Sequence, residues 1–527
     1  MEDVETSKLV KGALLLTVAG LISKILSAGY RIPLQNLTGD HGFYVYQQVY
    51  PILGMVMILS LYGFPSAISK ITAEMEADGK KLTFKQFYLP VWFILLGVNG
   101  LFFSLLFTNA GTISNLIGDK NLMNAYRLTA FTFLFIPFTS LLRGVFQGHS
   151  YMKPTAYSQV GEQVFRVFII ILTAYFFMIG KINVYKIGEA GALASMVGAT
   201  VAIIILMVFF RSDKRSDDNY SNVPWSYYFR TIFSLGIVAS LNHMVLLIIQ
   251  FADVFTLVPS LLDYGLSAND AMRSKGVFDR GQPLIQIGTV IGSSFALAFI
   301  PGISKKSTQK DSIDFYEYIQ RALSVSVYLS IAAVIGLILI FPETNKLLFQ
   351  DLNGTFSLQI LSITILLSSL AITLSSILQG LGYFKQTAVF ILITFIIKWF
   401  LNQLLVPYMG ITGGAIATVL SMTILCALIL VQFKIVLPRF RISEVIDWKA
   451  LFIACIGLFI YIKAIHFLFP YTLIHSRYLL LIYVLFISLS GAFIYIFSLL
   501  RCKVFSEKEL QMFPFLSFFI RLSKGRD

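Results

Sequence analysis

GALLLTVAGLISKILSAGYRIPLQNL, residues 12–37, is apolar over a length that crosses a bilayer, yet it contains Lys24 and Arg31. These are about two helical turns apart, so both point to the same face of one helix. A basic side chain at mid-bilayer costs roughly 2.5–3.5 kcal/mol on insertion scales, and two on one face need a partner or a wet cavity. Later apolar stretches repeat the pattern with Glu162 and Arg166, Asp253, Asp279 and Arg280, Lys398, and Lys463. A many-span membrane protein with a charged, mostly basic interior points to passage for an anionic, polar cargo. The competing explanation is that charges near helix ends reach out to the headgroups, which is the expectation for Lys463 and stays open for Arg280.

Composition sets the class. Of 527 residues, 57% are hydrophobic and 13% charged, with a mean hydropathy of +0.78. A soluble domain carries roughly 25% charged residues. The expected fold is all-α and polytopic, with about fourteen transmembrane helices. They fall near 12–37, 42–69, 86–110, 123–147, 155–180, 188–211, 227–258, 277–303, 318–342, 356–380, 386–407, 411–436, 450–470 and 477–501. No cleavable signal peptide is evident, because the first apolar run is too long for one. The net charge of +14 does not indicate nucleic acid, since the excess lies in short loops. Loops on the N-terminal side hold most of it, among them Lys80, Lys81, Lys85, Lys214, Lys305 and Lys306. The opposite loops hold few bases, with Arg273 and Lys275 counted there. The positive-inside rule then puts both termini in the cytoplasm.

Cys426, Cys455 and Cys502 have no paired spacing, and the five histidines form no two-ligand pattern. Walker A, dinucleotide and nucleophile-elbow motifs are missing. No enzymatic activity, cofactor or metal is expected.

Three short patterns occur twice in the same order. Pro65-Ser66-Ala67-Ile68-Ser69-Lys70 is matched by Pro301-Gly302-Ile303-Ser304-Lys305, Gln147-Gly148 by Gln379-Gly380, and Gly191-Ala192 by Gly414-Ala415. The order predicts two parallel six-helix halves, residues 1–220 and 221–440, with the cargo site between them and alternating access by rocking. Residues 441–501 then add two helices, and 502–527 read as a cytoplasmic amphipathic tail. Arg166 follows Gln147 at the same distance as Lys398 follows Gln379. Glu162, one turn before Arg166, is placed to neutralise it. Lys398 has no such neighbour, and Asp253 is the acid expected to pair with it.

Ser23-Lys24-Ile25-Leu26-Ser27-Ala28-Gly29-Tyr30-Arg31-Ile32-Pro33, followed by Tyr46-Gln47-Gln48-Val49-Tyr50-Pro51, resembles the SpoVB/MurJ-like polysaccharide flippases of the MOP exporter superfamily. The resemblance extends to Pro301–Lys305 and to Leu401-Asn402. It implies a V-shaped bundle in a bacterial cytoplasmic membrane that flips an undecaprenyl-pyrophosphate-linked glycan such as lipid II from the inner to the outer leaflet. It implies that Lys24, Arg31 and Arg280 hold the pyrophosphate and that the last two helices form a groove for the lipid tail. Membrane lipids and cell-wall synthesis proteins are the implied partners. The sodium site of some relatives is matched by Asp253 and Asn402, but Val406 stands at its second Asp position and Lys398 is added. A lysine ammonium in place of the ion puts sodium coupling in doubt.

The residue chemistry points the same way, because two or three bases in a low-dielectric cavity suit a pyrophosphate diester. Arg31 and Arg280, both in the outer parts of their spans, are expected to share one phosphate group. Gln47, Gln48, Asn242, Gln282 and Gln286 are candidates for glycan contacts or for plain interhelical hydrogen bonds. Two other classes remain open here: a cation-coupled multidrug exporter of the MATE type, and a scaffold of cell-wall synthesis without transport. A basic cavity favours the flippase over the exporter.

Overall fold

A chain this apolar must satisfy its backbone N–H and C=O groups within each crossing segment, and only helices or closed barrels do so in lipid. The computed structural model describes residues 2–79, 82–211, 225–297, 313–440, 445–502 and 504, and their regular structure is entirely helical. The repeat motif at 300–305 and the tail from residue 505 lie outside the described residues.

The elements used below are α1 (Glu2–Gly29), α2 (Arg31–Ile58), α3 (Phe64–Ala77), α4 (Ile136–Gly148), α5 (Lys153–Met178), α6 (Trp225–His243), α7 (Val245–Asp263), α8 (Ala268–Asp279), α9 (Gly281–Leu297), α10 (Ile313–Leu339), α11 (Phe341–Phe349), α12 (Phe384–Met409), α13 (Ile411–Val436), α14 (Trp448–Leu468) and α15 (Arg477–Arg501). Among the described residues, twelve stretches are long and apolar enough to span. The first, Leu15–Ala77, has 63 residues. At 1.5 Å per residue that is roughly 95 Å of helix against a hydrocarbon core of about 30 Å, far more than one crossing. It breaks at Gly39, whose φ of 67° favours glycine. Fourteen spans remain the sequence-based expectation.

Two irregular turns matter for the site. At Tyr30 the helix only loosens: its backbone stays helical (φ −66°, ψ −20°), and Tyr30 N–H and Leu34 N–H still bond Leu26 O and Tyr30 O, so α1 runs on into α2 and Lys24 and Arg31 differ in burial. Lys24 is exposed, whereas Arg31 is completely buried. Between α2 and α3, a π-helical turn at Leu59–Gly63 brings Tyr62 to stack on His243 of α6, with ring centroids 4.5 Å apart. Such turns insert one residue into the helix and re-aim the side chains around it.

The last pair of helices follows from its pattern. In α15, Leu480, Val484, Ile487, Gly491, Tyr495 and Leu499 recur at helical spacing and are buried. Leu489, Phe486 and Phe493 point outward and are exposed, as expected for a lipid-facing helix. The buried stripe packs with Leu451, Ala454, Leu458 and Ile462 of α14, with Ile340 just before α11 and with Leu347 within it.

Candidate functional site

Arg31 is the centre of the buried charge. Its guanidinium lies 3.8 Å from the centroid of the Tyr50 ring, and its Nη2 donates to Gln286 Oε1 of α9 at 3.1 Å. Nε and Nη1 are buried and have no hydrogen-bond partner. Tyr30 and Tyr46, whose hydroxyls bond to each other, complete the aromatic surround. An aromatic face and one amide do not exhaust a guanidinium, which offers five donors in a planar fork. Lys24 is exposed within the bundle and acts electrostatically on His243 of α6. It therefore borders open space rather than a packed core.

Arg280 occupies a different place. It too is completely buried, but its fork is filled: Nε and Nη2 reach Asp40 at 2.8 and 2.6 Å, and Nη1 and Nη2 reach Asp351 at 2.6 and 2.8 Å. The expectation that Arg31 and Arg280 share one phosphate does not hold here, because two carboxylates engage every nitrogen of Arg280. Asp40 comes from the first half of the chain, so this cluster ties the halves together at one end of the bundle. Burial alone would raise the Asp351 carboxyl. The bonds from Arg280 and from the Asn353 amide outweigh burial and hold Asp351 below its ordinary value.

The contact beside this cluster is tight enough to be tested by one methyl group. A Cβ at Gly276 of α8 would stand 2.1 Å from the Asp40 carbonyl oxygen, which is backbone and cannot swing aside. Gly276→Ala should therefore push α8 off α2. The expected readout is a severalfold loss of disulfide cross-linking between Asn36→Cys and Gln350→Cys, with the protein still folded. An unchanged yield would contradict the packing.

Lys275 corrects the sequence reading. Rather than sitting in a loop, it is buried on α8 and donates to both oxygens of Asp279, at 2.7 and 2.5 Å. Asp279 thus serves Lys275, its neighbour one turn back, and not Arg280.

The expected pair is present. Lys398 Nζ lies 3.0 Å from Asp253 Oδ1, both fully buried, and also donates to Asn402 Oδ1, Gly414 O and Thr418 Oγ1 at 2.9, 3.0 and 2.6 Å. Asn402 Nδ2 donates to Asp253 Oδ1 at 2.8 Å and to Thr256 Oγ1 at 2.7 Å. α7, α12 and α13 are thereby joined around one ammonium. The Lys275–Asp279 pair acts electrostatically on this group, so four opposed charges share one region.

Glu162 neutralises Arg166 as expected, at 2.7 Å, but it serves a second base as well. Arg143 of α4 is completely buried, donates to Glu162 Oε2 at 2.9 Å, and bonds Ser158 and Ser60 at 3.1 Å. Sequence reasoning missed it. An arginine in the apolar run Leu141-Leu142-Arg143-Gly144-Val145-Phe146 carries the same signal as Arg31. One carboxylate between two guanidiniums leaves a net positive charge, and its Arg166 acts electrostatically on Tyr30, as Arg31 does.

The amides divide. Asn242 donates to the backbone carbonyls of Val238 and Phe384, and Gln282 accepts from Gln250 at 2.9 Å. Both make interhelical bonds, and Asn242 Oδ1 is buried without a partner. Gln286 is engaged by Arg31. Gln47 and Gln48 are buried on α2, and Gln47 Oε1 has no hydrogen-bond partner. Among the described residues, no three acidic, histidine or cysteine side chains converge as metal ligands.

A family model described as a polysaccharide biosynthesis protein matches residues 9–307, which carry every one of these first-half residues and α6–α9. The chain belongs to that family. The membrane protein YabM of Bacillus subtilis (strain 168) is 36% identical over 524 residues, covering 98% of this chain and 97% of its own. The lipid II flippase MurJ of the same organism is 26% identical over 443 residues, 79% of this chain and 80% of its own. Among solved structures, lipid II flippase MurJ in an inward closed conformation superposes with a TM-score of 0.66 at 13% identity, covering 92% and 98% of the two chains. A multidrug resistance MATE family transporter of the MOP superfamily, inward-facing, gives 0.63 at 13% identity over 79% and 95%. At such identity these two share the fold with this member of the family. The family member is a multi-pass membrane protein with the MurJ/MATE-like helical architecture.

Proposed function

We propose that the protein flips a polyprenyl-pyrophosphate-linked cell-envelope glycan from the inner to the outer leaflet by alternating access between its two six-helix halves. The observation that carries this reading is Arg31: a fully buried guanidinium with two unpartnered nitrogens, acting electrostatically on Tyr30 together with Arg166 of the net positive Arg143–Glu162–Arg166 group. A buried charge with unspent donors points to water or a ligand that uses them, since leaving them unmade is costly. A pyrophosphate has acceptors of matching geometry. Lys24, open to the space within the bundle, adds the second positive contact.

With both termini taken as cytoplasmic, the end carrying Asp40, Arg280 and Asp351 faces outward and is shut. Arg280 is then the bolt of the outer gate in this state, and it becomes available to a phosphate only when the carboxylates let go. The family relatives named for lipid II support a lipid-linked glycan as the cargo class. The MATE likeness is one of fold, and a basic site suits a cationic drug poorly.

A flipping assay tests the reading. Purified protein in vesicles loaded with a fluorescent polyprenyl-pyrophosphate disaccharide should expose the label to an external quencher faster than empty vesicles do. Equal rates, with extrusion of a cationic dye instead, would move the assignment to the drug exporters.

A further inference from the structure

α14 and α15 are expected to serve the lipid tail, yet their ends also grip the short helix α11. Arg477 Nε donates to Leu347 O at 3.0 Å, and Lys346 Nζ donates to Ile474 O at 3.4 Å. From α14, His466 Nε2 lies 2.9 Å from Glu343 Oε1. α11 leads directly into the residues that close the outer end. Asn36 Nδ2 of α2 donates to Leu348 O at 2.6 Å, while Gln350 Nε2 and Arg477 Nη2 donate to Asn36 Oδ1 at 2.6 and 2.8 Å. Asp351, the next residue, receives Arg280. Arg477 therefore reaches past α11 to the first half of the chain.

Glu343 is the exceptional member of this group. It is 1% exposed, and neither carboxylate oxygen accepts a hydrogen bond, because the His466 nitrogen is at ion-pair distance but off the hydrogen-bonding line. A buried carboxylate without donors favours the protonated acid. The groups around it are Lys463 and His466 of α14, Tyr471 of the following turn, and Tyr483 of α15. Lys346 of α11 itself is turned to the Tyr471 ring. From α2, Asp40 is taken by Arg280. The charged residues of α10, Asp314, Glu317 and Arg321, all lie in its opposite end, and residues 355–362 contain none. Burial pushes the Glu343 carboxyl up to about 7, opposed by its own peptide N–H and by Lys463.

We propose that Glu343, together with His466, is a proton-binding site through which α14 and α15 latch the outer gate: with the proton on, α11 stays docked and the gate stays shut. This rests on the reading of that end as the outer gate. Undocking α11 wets Glu343 and returns its carboxyl toward its ordinary value of 4.5. The docked state thus binds the proton more tightly. Its advantage is complete below about pH 4.5 and is lost as pH rises through about 7.

The test uses the full chain in lipid nanodiscs, with Cys426, Cys455 and Cys502 replaced by Ala and spin labels at Asn183→Cys and Leu352→Cys, exposed positions of the two halves. Electron–electron resonance distances are read from pH 5 to pH 9. The longer-distance population should rise at least threefold between pH 6 and pH 8. Glu343→Gln, which mimics the protonated acid, should keep the short distance throughout, and Arg477→Gln should lengthen it at every pH. If Glu343→Gln fails to fold, His466→Gln should move the midpoint to lower pH, since the site loses one of the two groups that can hold the proton. A native distribution that ignores pH, a native-like response in Glu343→Gln, or an unmoved midpoint in His466→Gln would overturn the latch. Flipping of the labelled lipid is measured on the same samples. Absent flipping with the pH response intact would count against the transport reading alone.

Discussion

Arg31→Ala should abolish growth rescue of a strain depleted of its own flippases, with the variant still present in the membrane at normal abundance. Two free donors of a desolvated guanidinium give two charge-assisted hydrogen bonds to a pyrophosphate, each worth roughly 1.5–3 kcal/mol. Together they amount to about 3–6 kcal/mol, or roughly a 10²–10⁴-fold loss of affinity for the charged headgroup. Arg31→Lys should keep part of the activity, because an ammonium holds the charge but not the fork. It would also lose the flat contact with Tyr50. Arg280→Ala should fail differently. It strands Asp40 and Asp351 opposite each other, so headgroup binding survives while the outer end no longer closes. Titration of the labelled lipid into detergent-solubilised protein separates the two. Full rescue by Arg31→Ala, or equal binding losses in both variants, would defeat this division of labour.

That division was only half legible in the sequence. Charge inside an apolar run is a strong signal, and it led to Arg31, Arg166, Asp253, Asp279, Arg280 and Lys398, all of them buried. The acid–base spacing of Glu162 and Arg166 gave their contact; the repeat singled out Lys398, and depth in the membrane pointed to Asp253 as the nearest unpaired acid. What sequence withholds is which long-range partner a charge takes. Arg280 was read as free for phosphate because Asp40 and Asp351 look like loop acids, and nothing local says that both fold back onto one guanidinium. Lys275 was read as a loop base for the opposite reason: α8 is polar enough to resemble a loop, although its Lys275 and Asp279 sit one turn apart and cancel inside the bundle. Burial along a helix was the other blind spot. The loosened turn at Tyr30 is marked by Gly29 and by Pro33, which has no N–H to give Gly29 O, but the sequence does not say that Lys24 stays exposed while Arg31 is buried. Asn242 and Gln282 show that a polar residue in a span is as readily a bolt between helices as a contact for cargo.

Lys398→Met should be among the most damaging single changes in the second half, and it should make flipping respond to sodium, whereas native flipping should be indifferent to it. The ammonium sits among four oxygens, those of Asp253, Asn402, Gly414 and Thr418, at 2.6–3.0 Å. It fills the place a bound cation would take, so native flipping in vesicles should proceed equally in sodium and in choline. Removing one partner of a buried pair costs about 3–5 kcal/mol, because the other charge is left uncompensated. Asp253→Asn should be milder than Lys398→Met, since the ammonium keeps three neutral acceptors while a stranded Asp253 keeps only the Asn402 amide. The variant Asp253→Asn/Lys398→Met removes both charges and should recover a good part of the thermal stability and flipping lost by Lys398→Met. In Lys398→Met alone, Asp253 and the three vacated oxygens present an anionic, oxygen-lined site, the kind of ligand set that hard cations accept. Millimolar sodium should then raise its melting temperature and part of its flipping rate, with no effect on the double variant. A double variant no better than Lys398→Met would mean that the two charges do not depend on each other. A strict sodium requirement in the native protein would mean that Asp253 ligates an ion despite the lysine, and the ammonium would then have to leave its four oxygens during the transport cycle.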